Sequence, residues 1–213
     1  MIHKDILFDL DGTLTDSGPG ITRCAADTIR HYGLPVPDAA TLRTMVGPPL
    51  RTTFPRFGIP EAQVEEAILY YRKLYNAGGK FENIPYPGIE DMLQKLKDDG
   101  HRLFIATSKP EHMSVDILEH FGLAHYFDRI CGSLLDGVRD QKAEVIAYLL
   151  DSIGGGSNVV MVGDTVFDVV GAKEHGIPTI AVAWGYGKCS DMLSAGAVAV
   201  ANTPEELYRL LSK

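Results

Sequence analysis

The chain is predicted to be an α/β protein built on a doubly wound parallel sheet, with a small all-helical unit inserted after the first strand. Three observations carry that prediction. From about residue 86 onward, short apolar runs alternate with amphipathic stretches of helical period, the pattern of successive βαβ units. The apolar runs are near-continuous rather than alternating, as in strands buried on both faces. Residues 17 to about 83 hold helical patterns and no convincing strand.

Taken in order, "DILFDL" is the first strand. "GITRCAADTIRHYGL" and "EAQVEEAILYYRKLYNAG" then read as helices, separated by the Pro- and Gly-rich "LPVPDAA" and "VGPPL". "NIPYPG", residues 83–88, reads as a return linker, dividing the chain into a core of residues 1–16 and 84–213 and a helical unit of residues 17–83. "RLFIAT" (102–107) is a buried strand, and "PEHMSVDILEHFGL" a helix with Pro110 in its first turn, where a missing N–H costs nothing. "DQKAEVIAYLLDSIG" is an amphipathic helix, "NVVMVGD" a strand, "VFDVVGAKEHGI" a helix and "PTIAVAW" a strand. "GAVAVAN" is a weaker strand, followed by a helix capped near Thr203-Pro204. A length of 213 residues leaves room for one large domain or a core with an insertion.

A net charge of −8 with scattered Lys and Arg argues against a nucleic acid polymer or an anionic membrane as partner. A small anionic substrate stays compatible, because a bound cation or oriented dipoles override net charge locally. Cys24, Cys131 and Cys189 are odd in number and far apart, which argues against a disulfide framework or a zinc site. No apolar run has the length of a signal peptide core or a membrane span, so the cytoplasm is the expected location. Monomer and homodimer are both compatible with the sequence.

Open parallel sheets bind ligands beyond the carboxyl ends of their strands. There the chain places Asp9 and Asp11, then Thr107 and Ser108, then Gly163 and Asp164, with Asp168 one helical turn further on. Lys142 stands at the start of the intervening helix. Asp9 and Asp11 lie two apart in extended chain, so their side chains are expected to start on one side, and Gly12 allows a tight turn after them. Four converging carboxylates need a cation, and an oxygen-only ligand set with room for water suits Mg²⁺. The aspartates are therefore expected to hold the metal, with one of them attacking a substrate.

Lys142 near a helix N-terminus is unfavourable by roughly 0.3–1 kcal/mol, which makes sense beside an anion or carboxylate. Lys109 is the rival, and residue types alone do not separate the two. Asp16 reads as the N-cap of the first inserted helix or as a hinge contact. Arg51 either meets a substrate carboxylate or second phosphate in a bidentate fork or is a surface arginine. Tyr70, Tyr71 and Tyr75 read as structural, as do His112, His120, His125 and His175.

"DLDGT" (9–13), Thr107 in "IATSK", Lys142 in "DQKAEV" and "GDTVFD" (163–168) resemble, in order and on matching elements, the four motifs of the haloacid dehalogenase-like superfamily. The similarity is closest to the phosphoglycolate phosphatase-like branch, including 5′-nucleotidase-like members, through "VGPPL", "FENIPYPGIEDML" and "MVGDTVFDVVGAKEHGIPTIAVAWGYG". The resemblance implies a Rossmann-like core with a helical cap and a Mg²⁺-dependent phosphomonoester hydrolase acting on a small phosphorylated metabolite. By position, Asp9 is the implied nucleophile and Asp11 the general acid and base. Thr107 holds the phosphoryl oxygens and Lys142 the nucleophile. Gly12, Thr13, Ser108 and Arg51 are the implied substrate-binding residues. Asp9, Asp11 through its backbone carbonyl, Asp164 and Asp168 are the implied metal residues. Two alternatives share much of this chemistry. A sugar phosphomutase uses the same intermediate. A receiver domain, or a non-catalytic protein that binds a phosphorylated ligand, gathers similar groups, but receivers order them differently along the strands.

Overall fold

The computed structural model describes residues 4–135, 138–156 and 158–212. Its centre is a six-stranded sheet. β1 (Asp5–Phe8) is flanked by β4 (Arg102–Pro110) and β6 (Val159–Gly163), with β5 (Arg129–Ser133) outside β4. On the other side, β7 (Thr179–Val182) and β8 (Ala199–Ala201) follow β6. All five neighbouring pairs are parallel. The doubly wound core expected from the apolar runs is therefore present.

Alternation along the strands sorts side chains into two layers. Ile6 and Phe8 of β1 and Leu103 and Ile105 of β4 pack with Met92, Leu93 and Leu96 of α5 (Ile89–Asp98) and Leu207 and Leu211 of α10 (Pro204–Leu211). Ile117 and Leu118 of α6 (Glu111–His120) join that face. Leu7, Phe104 and Met161 point the other way, onto Val145, Ile146 and Leu149 of α7 (Lys142–Ser152) and Ala172 of α8 (Val166–Lys173). α9 (Cys189–Ala195) closes that side through Met192. Thr203 caps α10, its side chain accepting from the Glu206 N–H at 3.1 Å.

The insertion holds α1 (Gly18–His31), α2 (Ala39–Arg43), α3 (Leu50–Thr53) and α4 (Val64–Asn76). It has an apolar cluster of its own, including Ile29, Phe54, Ala67 and Tyr75, joined by Met113 of α6. The chain leaves and re-enters the core through a two-stranded antiparallel pair, β2 (Thr15–Asp16) with β3 (Ile84–Pro85). β5 was not anticipated, because its five residues begin with an exposed Arg129 and carry no alternation. β4 extends past the expected end at Thr107, with a register break against β5 between Ala106 and Pro110. Among the described residues, no helix is long and apolar enough to cross a membrane.

Leu93 is fully buried where α5 meets the sheet. Leu93→Ala is expected to lower stability by about 2–5 kcal/mol, read as a shift in the urea midpoint with an unchanged slope.

Candidate active site

Asp9 follows β1 directly, its N–H bonded to the Val162 carbonyl of the neighbouring strand at 2.9 Å. The chain then turns, with Gly12 at φ +83° and its N–H on the Thr15 carbonyl at 2.8 Å. A side chain at Gly12 would overlap the Asp164 carboxylate and the Tyr186 ring, so the turn requires glycine on two grounds. Asp164 directly follows β6, and Asp168 lies in the first turn of α8.

Asp9, Asp164 and Asp168 are buried and offer carboxylate oxygens within 4.8 Å of one another. Lys142, the first residue of α7, puts Nζ 2.9 Å from Asp9 Oδ1 and 2.7 Å from Asp168 Oδ1, and donates to the Ala106 carbonyl at 2.8 Å. Burial opposes its charge, but Asp168 and Asp9 outweigh burial and hold the ammonium above the ordinary lysine value. Asp168 is fixed by the Thr165 N–H and hydroxyl at 3.0 and 2.9 Å. Burial raises it, with Asp9 adding to the rise and Lys142 opposing it. Asp164 is raised well above the carboxylate range by burial, then by Asp168 and Asp9. It accepts from the Tyr186 N–H at 2.7 Å and the Thr13 hydroxyl at 3.3 Å.

Three carboxylates against one ammonium leave an excess of negative charge in a buried pocket. The donors are all hard oxygens, and both second-layer partners of Asp164 are hydrogen-bond donors. That set fits a small divalent cation such as Mg²⁺.

Asp11 takes a different path. Its carboxylate pairs with Lys109 Nζ at 3.1 and 2.9 Å, and Lys109 also donates to the Tyr75 hydroxyl of α4 at 2.6 Å. Asp9 and Asp11 line the same cavity, but strand geometry ends at Phe8 and each carboxylate meets its own lysine. Among the described residues, the three-carboxylate group does not include Asp11. Lys142 and Lys109, rivals by sequence, both stand in the site.

Thr107 is buried near the end of β4, its hydroxyl accepting from the Lys109 N–H at 3.3 Å. Thr107 and Ser108 line a cavity of about 130 Å³ together with Asp9, Asp11, Lys142 and residues of the insertion. Arg51 lines it too. Its guanidinium is engaged by Glu65 at 2.6 and 3.1 Å and by Asp140 at 2.8 Å. The N-cap reading of Asp16 is corrected: Ser17 occupies that position, without a side-chain cap bond. Asp16 is instead a hinge contact, accepting from the Tyr186 hydroxyl at 2.6 Å, which in turn accepts from the Gly18 N–H at 2.6 Å.

The loop "WGYG" (184–187) was missed as part of the site. Trp184 Nε1 donates to the Thr13 carbonyl at 3.0 Å, and Tyr186 ties Asp164 to the hinge. A Cβ at Gly185 or Gly187 would overlap Asp164. The two glycines around a tyrosine, just after a strand end, were the available signal.

The model of the family described as haloacid dehalogenase-like hydrolase matches residues 6–182. The chain belongs to that family. It is 41% identical over 187 residues to a 5′-nucleotidase from Pseudomonas aeruginosa, covering 87% of this chain and 85% of that one. It is 42% identical over 209 residues to the tyrosine-protein kinase PtkA of Mycobacterium tuberculosis, covering 97% of this chain and 72% of that protein. A crystal structure of a predicted phosphatase from Clostridium acetobutylicum superposes with a TM-score of 0.95 at 43% identity, covering 99% of each chain.

Lys142→Met would leave Asp9, Asp164 and Asp168 together with no cation. In chelator it is expected to lose about 3–5 kcal/mol of stability, and added Mg²⁺ should raise its melting temperature more than that of the parent protein.

Proposed function

We propose that the protein is a Mg²⁺-dependent phosphomonoesterase for a small phosphorylated metabolite, such as phosphoglycolate or a nucleoside 5′-monophosphate, working through a phosphorylated Asp9. The observation that supports this most is the set of three buried carboxylates around Lys142, at the floor of a cavity that also holds Asp11 and Thr107. The helical insertion, residues 17–83, acts as a cap over the core of residues 1–16 and 84–213 and excludes bulk water.

An Asp9 oxygen attacks phosphorus as the bond to the leaving oxygen breaks, and Asp11 supplies that oxygen with a proton. Water then attacks the phosphorus of the aspartyl-phosphate, giving its proton to Asp11 and releasing Asp9 and inorganic phosphate. Asp9, Asp164 and Asp168, with the Asp11 backbone carbonyl, would hold Mg²⁺, and the bound cation would supply charge neutralisation for the attack. Thr107 and Ser108 donate to phosphoryl oxygens, and Gly12 and Thr13 shape the floor beside Asp164. Lys142 keeps Asp9 oriented, and Lys109 with Tyr75 steadies Asp11.

Phosphate release from a panel of phosphorylated metabolites tests the proposal. Release is expected with Mg²⁺ and absent in chelator, and Asp9→Asn should lower it at least about 100-fold while the fold is retained. Isomerised sugar phosphate without phosphate release would instead mean a mutase. A phosphotyrosyl product would mean the activity named for the mycobacterial relative.

A further inference from the structure

Residues 184–187 face three ways at once. Trp184 packs with the apolar cluster of the core, and Tyr186 with that of the insertion. Between them, a Cβ at Gly185 would lie 2.3 Å from that of Asp164, so the backbone runs directly along the Asp164 side chain. Tyr186 makes three bonds there. Its N–H donates to Asp164 Oδ2 at 2.7 Å, and its hydroxyl donates to Asp16 Oδ1 and accepts from the Gly18 N–H, both at 2.6 Å. Asp16 and Gly18 stand where the chain leaves the core for the insertion. Tyr86, where the chain has returned, stands edge-on to Trp184 with 6.4 Å between ring centroids. Arg43 of α2 lies over the Tyr186 ring at 5.2 Å, a cation–π placement. Both connecting segments and the body of the insertion therefore meet two aromatic side chains of one loop, and that loop is bonded to Asp164.

Resting on the reading of Asp9, Asp164 and Asp168 as a cation site, we propose that Tyr186 is a positioning residue that couples cation binding there to the rigidity of the hinge. Lys142 makes its ion pairs with Asp9 and Asp168. Asp164 relies instead on two neutral donors, the Tyr186 N–H and the Thr13 hydroxyl. Both belong to the same assembly, since Trp184 Nε1 holds the Thr13 carbonyl at 3.0 Å. Neighbouring carboxylates repel one another, and a cation among the three keeps Asp164 in place. Without it Asp164 turns away from its neighbours, taking the acceptor from the Tyr186 N–H. An N–H withdrawn from water without an acceptor is unfavourable, so the loop shifts and the Tyr186 hydroxyl leaves Asp16 and Gly18. The hinge then opens more often. The coupling is reciprocal: a hinge pinned by the Tyr186 hydroxyl holds Asp164 where the cation needs it.

Hydrogen exchange at two hinge amides tests this, since both donate to backbone carbonyls across the hinge: Gly20 to Glu82 at 3.1 Å and Tyr86 to Leu14 at 3.0 Å. The Thr165 N–H, on Asp168 at 3.0 Å, reports the acidic cluster. The Asp128 N–H, on the Leu103 carbonyl at the amino end of the sheet, reports the global effect of binding. In the parent protein, Mg²⁺ in place of chelator is expected to slow both hinge amides at least about fivefold more than Asp128. Tyr186→Phe keeps the ring and the N–H but loses the hydroxyl, and should reduce the hinge response to that of Asp128. Its Mg²⁺ affinity, measured by calorimetry, should fall by a similar factor. Asp16→Ala should behave alike, whereas Asp16→Asn keeps an acceptor and should retain the parent response. A hydroxyl with a merely structural role would instead speed hinge exchange equally with Mg²⁺ and with chelator, and that result overturns the inference. So do parent hinge amides that respond no more than Asp128 while Thr165 slows, and both leave the cation site standing. No slowing at Thr165 together with no Mg²⁺ binding overturns the cation site and the inference together.

Discussion

One buried ammonium organises the carboxyl end of the sheet. Lys142 joins Asp9 after β1, the Ala106 carbonyl in β4 and Asp168 in α8, from the first turn of α7. Each charge costs several kcal/mol to remove from water, and only close pairing with further hydrogen bonds offsets that. The surrounding backbone is cut to allow it. A Cβ at Gly171 would sit 2.8 Å from the Lys142 side chain, and one at Gly163 would overlap Asp168. Thr165 holds the other oxygen of Asp168, so the carboxylate cannot turn away from the lysine without breaking its own cap.

A second set of contacts joins the inserted helices to the core, and it has a different character. Arg51 meets Asp140, Lys80 meets Asp116, and Arg72 reaches the Leu135 carbonyl. Most of these side chains are partly solvated, and such pairs contribute about 0–1 kcal/mol each. Weak, distributed contacts hold the inserted helices to the core less firmly than buried packing does. Near the chemistry the connection is tighter. Tyr75 of α4 bonds to Lys109, and Tyr186 links the Asp164 carboxylate to the hinge at Asp16 and Gly18. The ring of Tyr186 also lies under the Arg43 guanidinium, 5.2 Å from its centroid. The acidic cluster and the inserted helices therefore share a few rigid side chains as well as a covalent hinge.

Much of this was legible in the sequence, for reasons that can be named. β1, β6 and β7 show as continuous apolar runs because both of their faces are buried. The acidic and hydroxyl groups show because they stand where those runs stop. β5 was not legible, since an edge strand with an exposed arginine and a glycine lacks any pattern that burial imposes. Asp16 was legible only as two alternatives, N-cap or hinge contact, because a carboxylate before a helix looks alike whether it bonds to the helix or to a tyrosine 170 positions away.

By itself, then, the sequence determined the layered α/β core, the helical insertion, and the residue types gathered at the strand ends, because periodicity and apolar run length are local properties of the chain. Only the tertiary structure decided how those groups pair. It gave Lys142 to Asp9 and Asp168 and Lys109 to Asp11. It also spent Arg51 on Glu65 and Asp140, set Arg72 against the Leu135 carbonyl, and brought Tyr186 against Asp164. Charges and hydrogen bonds act over a few ångströms between elements far apart in the chain, so their partners exist only once the sheet and the insertion have folded against each other.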